Sequence, residues 1–121
     1  MKTTGAFGEE KTAGYLVKSG YKVLFRNVHE GKGEIDIIAK DPKGTLVFVE
    51  VKTLRKNPAI AGLEPEDNMT PRKLKALRRS CEMFVAKHPE LVEETRGWRI
   101  DLVALTVFQE DCTIKHYRNI Y

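Results

Sequence analysis

Asp41-Pro42-Lys43-Gly44 separates two runs rich in Val and Ile, residues 34–40 and 45–54, and it constrains the fold more than any other stretch. Proline fixes φ at the second turn position and glycine accepts left-handed backbone at the fourth. That combination suits a type I turn followed by a glycine bulge. Such a turn pairs Asp41 with Thr45. Counting back along both strands puts Asp36 opposite Glu50 and Glu34 opposite Lys52, while Ile35, Ile37 and Ala39 meet Val51, Val49 and Val47 on the other face. Directly opposed side chains have Cβ atoms ~4.5–5.5 Å apart, and like charges there repel. An Asp facing a Glu beside Ile38, Phe48 and Leu54 calls for a compensating interaction. A shared cation is the simplest, and carboxylate oxygens suit Mg2+ or Mn2+. A solvated face that screens the repulsion is the other reading. A two-residue turn would slip the register by one and separate the carboxylates.

The hairpin sits within a regular alternation of elements. Residues 5–19 read as a helix closed by Gly20, and residues 21–28 as a strand. After the hairpin, residues 55–68 read as a loop with two prolines. Thr70 suits a helix N-cap with Pro71 at the first helical position, opening a helix to His88 with Pro89 beyond it. Its apolar stripe is Leu74, Leu77, Cys81, Phe84 and Val85. Residues 98–108 and 113–120 read as two final strands. The order α-β-β-β-α-β-β predicts an α/β fold, a mixed sheet with helices packed on it. At 121 residues the chain is expected to form one domain over 1–121. In the first helix, Ala6, Ala13, Leu16 and Val17 form an apolar stripe with Glu9 inside it. An unpaired buried carboxylate is costly, and the plain reading of Glu9 is a boundary residue at the helix start.

Charge and cysteine content exclude several classes. Cys81 and Cys112 lie far apart without a CxxC, which removes cysteine-rich zinc sites and disulfide scaffolds. No apolar run approaches the ~20 residues of a membrane span. With acidic residues at Glu9 and Glu10 instead of a leader-like apolar region, a cytoplasmic protein without membrane association is expected. The net charge is +4, and it is concentrated. Residues 71–88 hold Arg72, Lys73, Lys75, Arg78, Arg79 and Lys87 against Glu82 alone. Such a stretch suits a polyanion, although solvated basic helix faces are common. Arg72 and Lys73 open the helix, where phosphate is favoured; for Lys75, Arg78 and Arg79 a solvated face and a phosphate contact weigh equally. Arg99 and Asp101 share a strand face, as a structural ion pair or as support for a site. No Walker loop, dinucleotide fingerprint or Ser/His triad is present.

Gly33-Glu34-Ile35-Asp36 followed by Val47-Phe48-Val49-Glu50-Val51-Lys52 resembles the PD-(D/E)xK nuclease signature. More closely, the chain resembles the YraN-like family of predicted bacterial endonucleases. Gly8-Glu9, Ala13, Tyr15-Leu16, Gly20-Tyr21, Thr70 to Leu74 and Arg99 to Val103 extend the likeness over nearly the whole chain. Family members often carry a basic residue two positions after the motif lysine; here that position is Leu54, and Arg55 follows. The resemblance, which extends to archaeal-type Holliday junction resolvases, implies a restriction endonuclease-like fold. It also implies Asp36, Glu50 and Glu9 as ligands of Mg2+ or Mn2+ and Lys52 as the motif lysine. The expected activity is hydrolysis of DNA phosphodiesters, with branched DNA and a homodimer as expectations from the same kinship. A catalytically weak nucleic-acid-binding module and a DNA-repair accessory protein are the rival readings.

Overall fold

The computed structural model describes residues 3–57 and 62–121. The chain runs α1 (Thr4–Lys18), β1 (Lys22–Glu30), β2 (Gly33–Lys40), β3 (Leu46–Arg55), α2 (Pro71–Lys87), β4 (Trp98–Phe108) and β5 (Asp111–Tyr117), in the predicted order. Two 3-10 turns complete the chain, Pro65–Asn68 in the segment read as loop and Pro89–Leu91 directly after α2. The strands form one sheet in the order β1-β2-β3-β4-β5. Every neighbouring pair is antiparallel except β3 and β4, which are parallel and joined through α2.

The turn chemistry works as predicted. Gly44 has φ +96°. Its N–H donates to the Asp41 carbonyl at 3.0 Å, and the Asp41 N–H donates to the Thr45 carbonyl at 2.9 Å. The Asp41 carboxylate accepts from the N–H groups of Lys43 and Thr45 at 2.9 Å each. Lys40 therefore pairs with Leu46, Ala39 with Val47 and Ile37 with Val49, in the expected register.

The sheet is covered on both faces. Under α1, Leu16 packs with Ile37, Ala39, Val47, Val49, Val103 and Leu105. Under α2, Leu77, Cys81 and Phe84 pack with Ile38, Leu46, Phe48 and Ile100. Each fully buried Leu, Ile or Phe contributes about 1.5–3 kcal/mol. Thr70 caps α2 by accepting from the Lys73 N–H at 3.2 Å, and Leu74, Leu77, Cys81, Phe84 and Val85 form the expected inward stripe. In α1 the stripe differs from expectation: Val17 is 59% exposed and Ala6 is exposed, while Gly8, Thr12 and Leu16 are buried. Gly8 is the cause. A Cβ there would lie 1.7 Å from Thr53 Oγ1, so the helix lies against β3 along its smallest residue. That places Glu9 at the flank of the buried line.

Arg99 and Asp101 form the structural pair. Asp101 is fully buried and accepts from Arg99 Nε at 2.9 Å and the Asn119 N–H at 3.0 Å, with His116 Nε2 at 2.8 Å. Arg99 also reaches Asp41 at 2.7 Å and the Tyr21 hydroxyl at 3.1 Å. His116 Nδ1 lies 2.8 Å from the Tyr15 hydroxyl, tying α1 to β5. The network thus joins the hairpin turn, two strands and the chain's end.

Burial raises the Asp101 pKa, but hydrogen bonds from His116, Arg99 and Asn119 outweigh it and hold the carboxyl below its usual value. Asp41 behaves likewise, its burial outweighed by Arg99 and the turn N–H groups. Groups with depressed folded values stabilise above their unfolded value and lose that contribution as pH falls through the folded one. Urea denaturation between pH 7 and 3 is therefore expected to show stability falling below about pH 4. Asp101→Asn should cost about 2 kcal/mol at pH 7, because it removes the buried charged acceptor that Arg99 and His116 share while Arg99 keeps Asp41, and should flatten that acid limb.

Candidate functional site

The β2–β3 ladder stops at Ile37↔Val49. The next N–H that could continue it, that of Val51, instead donates to Asp36 Oδ2 at 2.9 Å. On its other side β2 also interrupts its pairing. Arg26 pairs with Ile37 and Val28 with Ile35, while Asn27 and Asp36 between them stand outside the register. Asn27 has φ 52°, a left-handed conformation in mid-strand. The irregularity turns Ile35 to the α2 side, where it packs with Ile38 and Phe48. This corrects the expectation that Ile35 would share a face with Ile37 and Ala39. The sheet forks at this point, and β3 runs on to Arg55 paired with β4 alone.

The fork gathers the acidic residues. Asp36 and Glu50, as the register predicts, lie side by side with their carboxyl groups hydrogen-bonded to each other. Burial first, then that hydrogen bond and the Glu50 charge, push the Asp36 pKa up to about 8, against the opposing pull of the Val51 N–H and Lys52. Lys52 Nζ lies 3.7 Å from Glu50 Oε2. Glu34, expected opposite Lys52, faces His29 on β1 at 3.6 Å instead, because the strands have separated before reaching it. From the α1 side, Glu9 enters the same field. Burial, Asp36 and Glu34 raise its pKa, opposed by Arg26 and by a hydrogen bond from Asn27.

Asn27 was not legible as a site residue. With its amide nitrogen turned toward the two acids, it donates to Glu9 Oε1 at 2.6 Å and to Glu34 Oε1 at 3.1 Å. The available signal was an Asn between Arg26 and Val28 in a strand, since Asn tolerates left-handed backbone where other side chains resist it. Among the described residues, no three acidic, imidazole or thiol groups converge into a metal-holding cluster. Asp36 and Glu50 form a pair, while Glu9 is held toward Asn27.

A groove of about 500 Å3 opens beside Glu50, between the 31–33 turn and the flank of α2. Lys32, Lys73 and Arg79 contribute its cations. Of the basic residues singled out in α2, Lys73 and Arg79 line this groove, while Arg72 and Lys75 are exposed outside its lining. Arg78 is spread over aromatic rings, 4.1 Å from the centroid of Tyr121 and 5.3 Å from that of Trp98. Those contacts fix its guanidinium as part of the packing at the chain's end.

The chain matches the family described as "Uncharacterised protein family UPF0102" over residues 8–105, and it belongs to that family. It is 36% identical to the UPF0102 protein of Trichlorobacter lovleyi over 121 residues, covering 99% of this chain and 91% of the relative. Against the UPF0102 protein of Syntrophomonas wolfei it is 35% identical, covering 97% and 96% of the two chains. A UPF0102 protein of Dehalococcoides mccartyi is 37% identical, with 98% and 92% covered. Among the described residues, no helix is long and apolar enough to cross a membrane.

The carboxylate pair has a thermodynamic signature. Asp36 holds its proton more tightly in the folded chain than in the unfolded one. Its contribution is therefore complete below the ordinary value of 3.8 and lost as pH rises toward about 8. Asp36→Asn can still accept from the Val51 N–H, and its amide can donate to Glu50. In metal-free buffer the variant is expected to gain up to about 1 kcal/mol over wild type at pH 8, with no gain at pH 3.5. Thermal melts at the two pH values read this directly. A loss of stability at pH 8 would make Asp36 an ordinary structural residue.

Proposed function

We propose that this member of the UPF0102 family is a divalent-metal-dependent nuclease that hydrolyses phosphodiester bonds in DNA. The observation that carries the reading is the Asp36–Glu50 pair, kept together at a cost in stability within reach of Lys52. A purely structural hairpin has no use for two acids that must share a proton at neutral pH. Both are hard oxygen donors, and a cation can take the place of that shared proton, so the pair fits Mg2+ or Mn2+. Glu9 would complete the donor set by exchanging its Asn27 hydrogen bond for the metal. When bound, the ion would supply charge neutralisation at the phosphate and lower the pKa of water.

The chain's own residues account for the rest. Lys52, with 24% of its side chain exposed, presents a fixed positive charge where negative charge develops on the phosphoryl oxygens. Lys73 and Arg79 hold the flanking phosphates and so fix the register of the strand without reading sequence. The alternative, a DNA-binding module with little catalysis, draws support from Glu9 being held toward Asn27, away from a three-acid cluster. Cleavage separates the two readings.

Purified protein incubated with linear, flap and four-way DNA and millimolar Mn2+ or Mg2+ should cleave at least one substrate, and EDTA should stop it. Asp36→Asn, Glu50→Gln and Lys52→Ala should each lose at least ~100-fold. Cleavage that survives all three substitutions would identify a contaminating nuclease and remove the assignment. Binding with no cleavage in either metal would establish the rival reading.

DNA affinity should also fall with salt, with a log–log slope of about −0.9 per phosphate contact on duplex. Replacing Lys73 and Arg79 together by Ala should flatten that slope by nearly two contacts. An unchanged slope would move the DNA surface away from α2.

A further inference from the structure

Asn27, at φ 52°, is the one non-glycine residue with left-handed backbone inside a strand among the described residues. Backbone of this kind is costly and persists where a site uses it. Its place in the sheet is the gap between the Arg26↔Ile37 and Val28↔Ile35 pairs, beside Asp36. There its amide nitrogen donates to two acids on different elements, Glu9 Oε1 of α1 at 2.6 Å and Glu34 Oε1 of β2 at 3.1 Å. The two acids are not held alike. Glu34 has a second partner in His29 at 3.6 Å. Glu9 sits in the field of Asp36 and Glu34, with Arg26 opposing them. The α1 backbone beside Glu9 is fixed, because Gly8 lies so close to Thr53 that a Cβ would stand 1.7 Å from its Oγ1. A change of place by Glu9 is therefore a side-chain rotation and not a shift of the helix.

Few residue types can do what Asn27 does. Glycine accepts the backbone but has no side chain to donate. Aspartate accepts the backbone and would repel both acids. Lysine or arginine would bind the acids but bring a positive charge to the place a cation would take. Asparagine accepts the backbone, donates and stays neutral. We propose that Asn27 is a positioning residue that holds Glu9 in reserve, keeping this third acid from Asp36 and Glu50 until a divalent cation takes it in exchange for the amide. The inference rests on the metal-dependent reading of the pair and adds the residue that controls when the donor set is complete. In the metal-free chain the arrangement spares Asp36 and Glu50 a third like charge at close range. Glu34, anchored by His29, remains as the partner of the amide when Glu9 leaves. The exchange gives up one charge-assisted hydrogen bond, so the clamp lowers cation affinity by the worth of that bond.

Mn2+ binding, read from the loss of the free-ion EPR signal, tests this without DNA or turnover. Wild type, Asn27→Gly, Glu9→Ala and the double variant form a cycle. Asn27→Gly keeps the backbone and removes the amide, so it should bind Mn2+ about fivefold more tightly than wild type. Glu9→Ala should bind it at least about fivefold more weakly, since affinity follows the number of charged ligands. In the Glu9→Ala background, Asn27→Gly should change the affinity by less than about twofold, because the bond it removes is already gone. An Asn27 that merely supports the strand gives a change of similar size in both backgrounds, and that result would overturn the proposal. So would an Asn27→Gly variant that binds no more tightly than wild type, or a Glu9→Ala variant that binds as well as wild type. A second reading needs no change at Asn27. In the NMR spectrum of wild type, the Asn27 side-chain proton facing Glu9 should move upfield with saturating Mg2+, and should lie upfield already in metal-free Glu9→Ala. A resonance unmoved by Mg2+ would overturn the proposal even where Asn27→Gly does not fold. Absence of Mn2+ binding by wild type at millimolar ion would overturn the metal reading itself, and this proposal with it.

Discussion

One hydrogen bond governs the shape of the site. A β-ladder continues as long as each N–H finds the carbonyl opposite, and the Val51 N–H finds the carboxylate of Asp36 instead. The ladder then ends, β2 and β3 part, and the polar side chains of both strands face the gap between them. The carboxyl group that ends the ladder is the one whose charge is least welcome there, pressed by burial and by Glu50. The fold supplies the forces that hold it. Both faces of the sheet are apolar and covered by helices, and β3 stays paired with β4 through the whole stretch from Leu46 to Arg55. Local strain at Asn27 and the carboxylate pair persists because the surroundings leave no alternative arrangement.

The division of labour between the two ends of β2 follows from electrostatics. At the turn end, Asp41 meets Arg99, which also holds Asp101, so buried charge is matched and the carboxyls stay ionised. At the fork end, acid meets acid, and Asp36 keeps its proton until the solution is mildly alkaline. Asp36 on β2 and Asp41 in the turn after it thus have opposite displacements, because burial and Glu50 raise the one while Arg99 and the turn N–H groups lower the other. The matched end stabilises the fold, and the mismatched end is where the proposed cation would bind.

Much of this was legible in the chain. Pro42 and Gly44 define the turn, the turn defines the register, and the register places Asp36 beside Glu50 without any knowledge of tertiary structure. Thr70 and Pro71 mark the start of α2, and the spacing of Leu74, Leu77, Cys81 and Phe84 marks its inner face. What stayed hidden depended on contacts between distant segments. The left-handed twist at Asn27 and the turning of Ile35 arise because three strands meet a carboxylate that will not enter the ladder. The buried face of α1 could not be read from apolar periodicity, since it is led by Gly8 and Thr12 and set by the approach to Thr53. Arg78 looked equivalent to Lys75 and Arg79 until Trp98 and Tyr121 came to lie beneath it.

The parallel pairing of β3 with β4 also has a consequence for the order of events in folding. The β2–β3 hairpin closes over few residues, and such local contacts form quickly because little chain entropy is lost. Joining β3 to β4 requires the whole of α2 to be threaded between them, a non-local step and therefore a slow one. Asp36 and Glu50 thus come together while the face destined for α2 is still bare, with Ile38 and Phe48 in water. During that interval the hairpin carries an unmatched edge at β3, and Glu50 and Lys52 put charge along that strand. A charged edge resists pairing with the wrong strand. The acid that costs the native protein stability would then protect the nascent one from aggregation.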